Sequence, residues 1–168
     1  PCSRSIVDQA AEEAISHGIV VVAAAGNSGA EGRHSVPPAN SPSVITVGGY
    51  TDHNQLDGSE LDLYHSNFGV TADGTVKPEI VAPAMWVAAP ILPGTKFYER
   101  AEALSRLAAA VDFELPVLGR ELKEAAELPE RVVNSGATAI RAYVETAFQQ
   151  DKIVAAHYQH VDGTSFAA

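Results

Sequence analysis

The chain has 168 residues, 46% of them hydrophobic, with a net charge of −10 at pH 7 and a pI near 4.9. That size carries one domain with a real core. The acidic balance argues against binding to nucleic acid, whose phosphates it repels, and no apolar run reaches the ~20 residues that span a bilayer. A single cysteine, Cys2, has no partner for an internal disulfide or a metal cage.

Residues 5–17, SIVDQAAEEAISH, predict a helix with Ile6, Val7, Ala10, Ala11, Ala14 and Ile15 on the apolar face. Asp8, Glu12 and Glu13 take the polar face, and Gly18 is the stop. IVVVAAAG (19–26) is a continuous apolar run, which predicts a strand buried on both faces of a parallel sheet. SVITVGGY (43–50) and EIVAPA (79–84) predict two more strands. Helix, glycine, buried strand is half of a βαβ pattern, so the fold class is α/β with a parallel sheet flanked by helices.

The character changes after ILPGT (91–95). Residues 96–152 hold 18 of the chain's 32 Asp, Glu, Lys and Arg residues. Their spacing is helical, through Phe97, Ala101, Leu104, Leu107, Ala108 and Val111, then 119–128, then 137–149. Pro116 and Pro129 punctuate these helices. This stretch predicts a helical insertion within the α/β domain, acting as a rim over a site or as a surface layer. A strand, VAAHY (154–158), follows it.

Two motifs carry candidate chemistry. In AAAGNSG (23–29), Asn27 directly follows a predicted parallel strand, where ligands of open sheets bind. Its amide NH₂ is a neutral donor suited to a developing oxyanion; taken alone, N-S-G reads first as an ordinary turn. The glycines at 26, 29 and 32 fit neither the dinucleotide fingerprint nor the P-loop. In DGTSFAA (162–168), Ser165 lies at a predicted helix start, where its hydroxyl could attack a carbonyl; Thr164 or Ser165 would also serve as a plain cap.

The segments HGIVVVAAAGNSG (17–29), PPANSPSVITVGG (37–49), SNFG (66–69), KPEIVAPA (77–84) and DGTSFAA (162–168), in this order, resemble the subtilisin-like serine peptidases, the subtilases or peptidase S8 family. The resemblance covers residues 1–95 and 153–168. It implies Ser165 as nucleophile and the Asn27 side chain in the oxyanion hole, with the Ser165 N–H as second donor. It implies Ala24, Ala25 and Gly26 as one wall of a substrate pocket, Thr164 as support for the oxyanion site, and a cis Pro37–Pro38 bond. Ala84 stands where the family usually has glycine, and Phe166 where it often has methionine. The implied substrate is a polypeptide, and the implied setting is secreted or extracellular. No cofactor is implied; calcium is frequent in the family, but no carboxylate cage is legible here.

In that family an Asp and a His precede the nucleophile in the chain, and both lie well before the oxyanion asparagine. Only 26 residues precede Asn27. None of the histidines (His17, His34, His53, His65, His157, His160) stands in the family's context for the base. His157 and His160 have metal-ligand spacing only if helical, and their segment reads as strand. The sequence therefore predicts the C-terminal part of a catalytic domain, inactive alone, with apolar surface exposed where further elements would pack, so that it can associate. A scaffold module is the alternative. A serine esterase follows, without the G-x-S-x-G elbow it would need.

Overall fold

A computed structural model describes residues 5–29, 36–55 and 58–168. Cys2 and His34 lie outside the described residues. The chain forms two compact units, residues 1–87 with 161–168, and residues 88–160.

The first unit is α/β. Helix α1 (Ile6–Ser16) is opened by a capping box: the Asp8 N–H donates to Ser5 Oγ and the Ser5 N–H to Asp8 Oδ2. Its buried face differs from the predicted one. Asp8 is 3% exposed, while Ile6 is 82% exposed and Val7 also lies open. The reason is local: Asp8 is held by the Ser5 N–H and by the Ser41 hydroxyl at 3.3 Å, so its burial leaves no bare acceptor. Below it, Ala11 and Ile15 pack on Ala23, Val21, Ala39 and Val44.

The sheet is built on β2 (Ile45–Thr51). β1 (Val22–Ala24) runs parallel to it in the register Val22↔Ile45, and β6 (Ile80–Pro83) runs parallel on its other side, Val47↔Ile80. β3 (Asp62–Leu63) adds antiparallel to the end of β2, so the sheet is mixed and not purely parallel. A small hairpin, β4 (Gly69–Val70) with β5 (Val76–Lys77), lies apart from it. Only β2 is buried almost throughout. The run 19–26 yields a strand of three residues, and Ile19, Val20 and Val22 stay exposed, as do Ile80 and Val81. Among the described residues, β1 is paired on one edge only, so the two-sided burial that a long apolar run implies is not met here.

A charged pair spans the short connection between β5 and β6. The buried Lys77 ammonium donates to the Val44 carbonyl at 2.6 Å and to Glu79 Oε1 at 2.5 Å, and the Thr46 N–H donates to Glu79 Oε2 at 2.9 Å. Burial by itself raises the Glu79 carboxyl, but the bonds from Lys77 and Thr46 outweigh it and hold the group below its ordinary value of 4.5. A depressed carboxyl contributes stability above its unfolded value and loses it as pH falls through the folded one. Glu79→Gln is expected to cost about 2 kcal/mol in denaturant unfolding, below the ~3–5 kcal/mol of a fully buried broken pair, because Glu79 keeps some water contact. Lys77→Met is expected to cost less, since it leaves no stranded buried cation. In Glu79→Gln the loss of stability between neutral pH and pH 3 should also shrink.

The second unit holds α2 (Lys96–Ala109), α3 (Leu115–Glu121), α4 (Glu130–Asn134) and α5 (Ala137–Gln150). It also holds a sheet in the order β7 (Val87–Pro90), β9 (Tyr158–Val161), β8 (Ile153–Ala155). Its own core joins Leu104, Leu107, Leu115, Leu128, Ile140 and Val144. Thr95 caps α2 through the Tyr98 N–H. Arg100 ties three segments together, donating to Asp151, to Glu127 and to the Ala126 carbonyl. Three predicted elements change. Pro116 opens α3 where the sequence predicts a break, since its fixed φ suits the first helical turn. The predicted helix 119–128 becomes the end of α3 followed by turns, and Pro129 caps a short α4. The predicted strand 154–158 is a hairpin that turns at His157, whose ring stacks on Tyr98 at 4.7 Å.

Candidate active site

β1 and β6 run parallel and end at the same edge of the first unit. Past β1 comes the loop Ala25–Gly29, past β6 comes Ala84, and α6 (Thr164–Ala167) lies against β1, β2 and β6. This is where an open parallel sheet offers a binding crevice. The Gly163 N–H donates to the Ala84 carbonyl at 2.7 Å, and the Ala84 N–H to the Tyr50 carbonyl at 2.9 Å. The turn before Ser165 is thereby stitched to the strand ends.

Asn27 and Ser165 are 138 positions apart in the sequence, and Thr164 joins them. The Thr164 N–H and hydroxyl both donate to Asn27 Oδ1 at 2.9 Å, and the Thr164 Oγ1 accepts from the Gly26 N–H at 3.2 Å. Thr164 is 0% exposed. A backbone N–H requires an oxygen opposite it, so the chemistry itself fixes which end of the Asn27 amide points inward. Nδ2 faces the other way and has no hydrogen-bond partner among the described residues. A Cβ placed on Gly163 would lie 3.2 Å from Ser165 Oγ and 3.6 Å from Asn27 Nδ2, so hydroxyl and amide border one small space that glycine leaves open. Gly163 also has φ +139, a conformation that other residues adopt only under strain.

The first intrahelical bond runs from the Phe166 N–H to the Gly163 carbonyl, which leaves the Ser165 N–H unused by the helix. Ser165 is exposed, and its Oγ has no hydrogen-bond partner among the described residues. The arrangement is thus an exposed hydroxyl beside two unspent donors, one an amide and one a backbone N–H. That is the donor set a tetrahedral oxyanion requires. Of the predicted pocket wall, Ala24 and Gly26 are half-buried while Ala25 is buried, its N–H donating to the Val47 carbonyl.

A family profile described as the Subtilase family matches residues 2–168. The chain belongs to the subtilase family. It is 42% identical over 78 residues to Serine protease AprX of Bacillus subtilis (strain 168), covering 46% of this chain and 18% of that protein. It is 41% identical over 70 residues to Subtilisin amylosacchariticus of Bacillus subtilis subsp. amylosacchariticus, and likewise to Subtilisin E of Bacillus subtilis (strain 168). Each of those matches covers 38% of this chain and 18% of the relative. The chain thus matches about a fifth of the length of these curated relatives. No solved structure gives a significant match.

One departure from the subtilase pattern has a packing explanation. A Cβ on Gly49 would sit 2.2 Å from the Cβ of Ala84, so the two positions share room for a single methyl group. Ala84 supplies that methyl from one side of the contact and is fully buried. Pro37–Pro38 is cis, as the resemblance implied, and Lys77–Pro78 is a second cis bond, for which the sequence offered no sign.

The described histidines of this subtilase chain make other contacts. His17 caps α1, its Nδ1 2.8 Å from the Glu13 carbonyl oxygen. His53 pairs with Asp62 at 2.8 Å, a His–carboxylate pair that no sequence pattern foretells. His65 lies against Tyr64. No histidine among the described residues hydrogen-bonds to Ser165. Asn67, which sequence reasoning left without a role, holds through its side chain the loop that carries Asn27. SNFG contained it, but nothing in one sequence says that this motif lands beside residues 26–29.

Proposed function

We propose that this chain is part of a serine endopeptidase that cleaves polypeptides through an acyl-enzyme on Ser165. The observation that carries the proposal is the paired exposure of Ser165 Oγ and Asn27 Nδ2 around Gly163, with the Asn27 oxygen spent on Thr164. In the reaction, Ser165 Oγ attacks the scissile carbonyl carbon and its proton passes to a base. The carbonyl oxygen takes the negative charge and is met by Asn27 Nδ2–H and the Ser165 N–H. Collapse expels the amine, which takes the proton from the base, and water then hydrolyses the ester by the same route. Family membership supports a histidine base and an orienting carboxylate, both looked for in polypeptide outside these residues. On that reading these residues alone do not turn over substrate.

Residues 96–152 are proposed as an insertion within the catalytic domain, because the family's motifs flank them on both sides. The exposed Ile19, Val20, Val22, Ile45, Ile80 and Val81 are proposed as the surface through which this part associates with further polypeptide. An extracellular setting is proposed on family habit alone; the proposed reaction uses no cofactor, and calcium is left open for the parent protein. No described helix is long and apolar enough to cross a membrane.

The test is labelling with a fluorophosphonate, mapped by peptide mass, on this chain and on a version extended at both ends. Labelling of Ser165 in the extended protein alone is the expected result. An extended protein that is folded yet unlabelled would move the chain to a non-catalytic, binding role.

A further inference from the structure

We infer that Asn67 is a positioning residue for the oxyanion donor: it fixes the loop that aims Asn27 without reaching the substrate. The kinetic consequence rests on the peptidase reading, whereas the geometry stands without it. Thr164 determines which end of the Asn27 amide faces outward. It ties the loop backbone only before Asn27, by accepting from the Gly26 N–H, and the loop 25–29 has no helix or strand of its own to fix the rest.

Asn67 supplies that constraint from both sides. Its N–H donates to the Gly26 carbonyl at 3.0 Å, just before Asn27. Its side-chain Oδ1 accepts from the Ser28 N–H at 2.9 Å and from the Ser28 hydroxyl at 2.6 Å, just after it. The next residue is tied to the same segment, the Gly29 N–H donating to the His65 carbonyl at 2.9 Å. A Cβ on Gly26 would lie only 2.7 Å from Asn67 Nδ2, so the amide is packed directly on the backbone there. Gly26 sits at φ +104, and its lack of a side chain admits that contact. Asn67 is 3% exposed, so water does not freely replace its bonds when it is removed. A displacement of the loop by about 1 Å is enough to cost up to ~10²-fold in a reaction that depends on aim.

The experiment compares Asn67→Ala, Asn27→Ala and the double variant in the extended protein, each checked for folding by thermal melting. Asn67→Ala is expected to lower kcat about 10-fold or more with KM nearly unchanged. In the Asn27→Ala background it should cost little further, because the group it positions is gone. The second readout is the Asn27 side-chain NH₂ pair in ¹⁵N-correlated NMR spectra, which should move in Asn67→Ala. Ser28→Ala removes one bond at an exposed residue, leaves the fold intact, and should shift the same signals less. A full Asn67→Ala loss in the Asn27→Ala background, or unmoved Asn27 signals, would overturn the inference. If the parent protein cleaves no peptide, the peptidase reading falls, and the Asn27 signals still decide whether Asn67 holds that amide.

Discussion

In the extended protein, Ser165→Ala is expected, on the proposed peptidase function, to lower kcat for peptide hydrolysis by about 10⁶-fold with KM nearly unchanged. That magnitude is the one measured on a subtilisin, a member of this family, and is carried over. The direction follows from the proposed role of Ser165, and the effect on stability from its geometry. Ser165 Oγ is exposed and makes no hydrogen bond within the described residues, so its removal leaves no buried group without a partner. Thermal stability should therefore stay within about 0.5 kcal/mol of the parent, as for other surface changes. Steady-state kinetics and melting on the same preparation check both parts. A variant that keeps substantial hydrolysis would place the nucleophile elsewhere.

Replacing Asn27 separates two jobs of one side chain. Nδ2 is the donor proposed for the oxyanion, and Oδ1 is the acceptor that satisfies the buried Thr164 N–H and hydroxyl. Asn27→Ala removes both. It is expected to lower kcat about 10²–10³-fold, again a value measured on subtilisin itself and carried over, and to cost roughly 1–3 kcal/mol of stability by stranding Thr164. Asn27→Asp keeps an acceptor for Thr164 but turns a negative oxygen towards the developing charge. It should melt closer to the parent than Asn27→Ala does, and hydrolyse no faster. The split between stability and kcat is the check. Equal losses of stability in the two variants would mean that Thr164 does not depend on Asn27 as the geometry implies.

The pieces of the site were legible in the sequence because each carries a local signature. A small apolar run ending in Gly-Asn announced a strand end with an amide beyond it, and Gly-Thr-Ser before small residues announced a helix start. Periodicity gave α1, α2 and α5 to within about two residues, the ordinary uncertainty of helix ends. It misassigned the buried side of α1, because hydropathy ranks Ile6 above Asp8 and cannot see Ser41 waiting with a hydroxyl. It also read 19–26 as a long buried strand, because apolar composition reports the capacity for burial and not which neighbours arrive.

What the sequence determined by itself, then, was the family, the α/β class and the boundaries of those three helices, and it marked Asn27 and Ser165 as the groups proposed for the site, since these rest on patterns within a few turns of chain. Tertiary structure alone decided that Thr164 spends the Asn27 oxygen and frees its nitrogen. It also decided that Ala84 fits because Gly49 is bare, and that Asn67 grips the loop from 39 positions away. Those relations are hydrogen bonds and close contacts between distant segments. A one-dimensional pattern carries the donors and acceptors but not their pairing, which exists only once the sheet brings its strand ends to one edge.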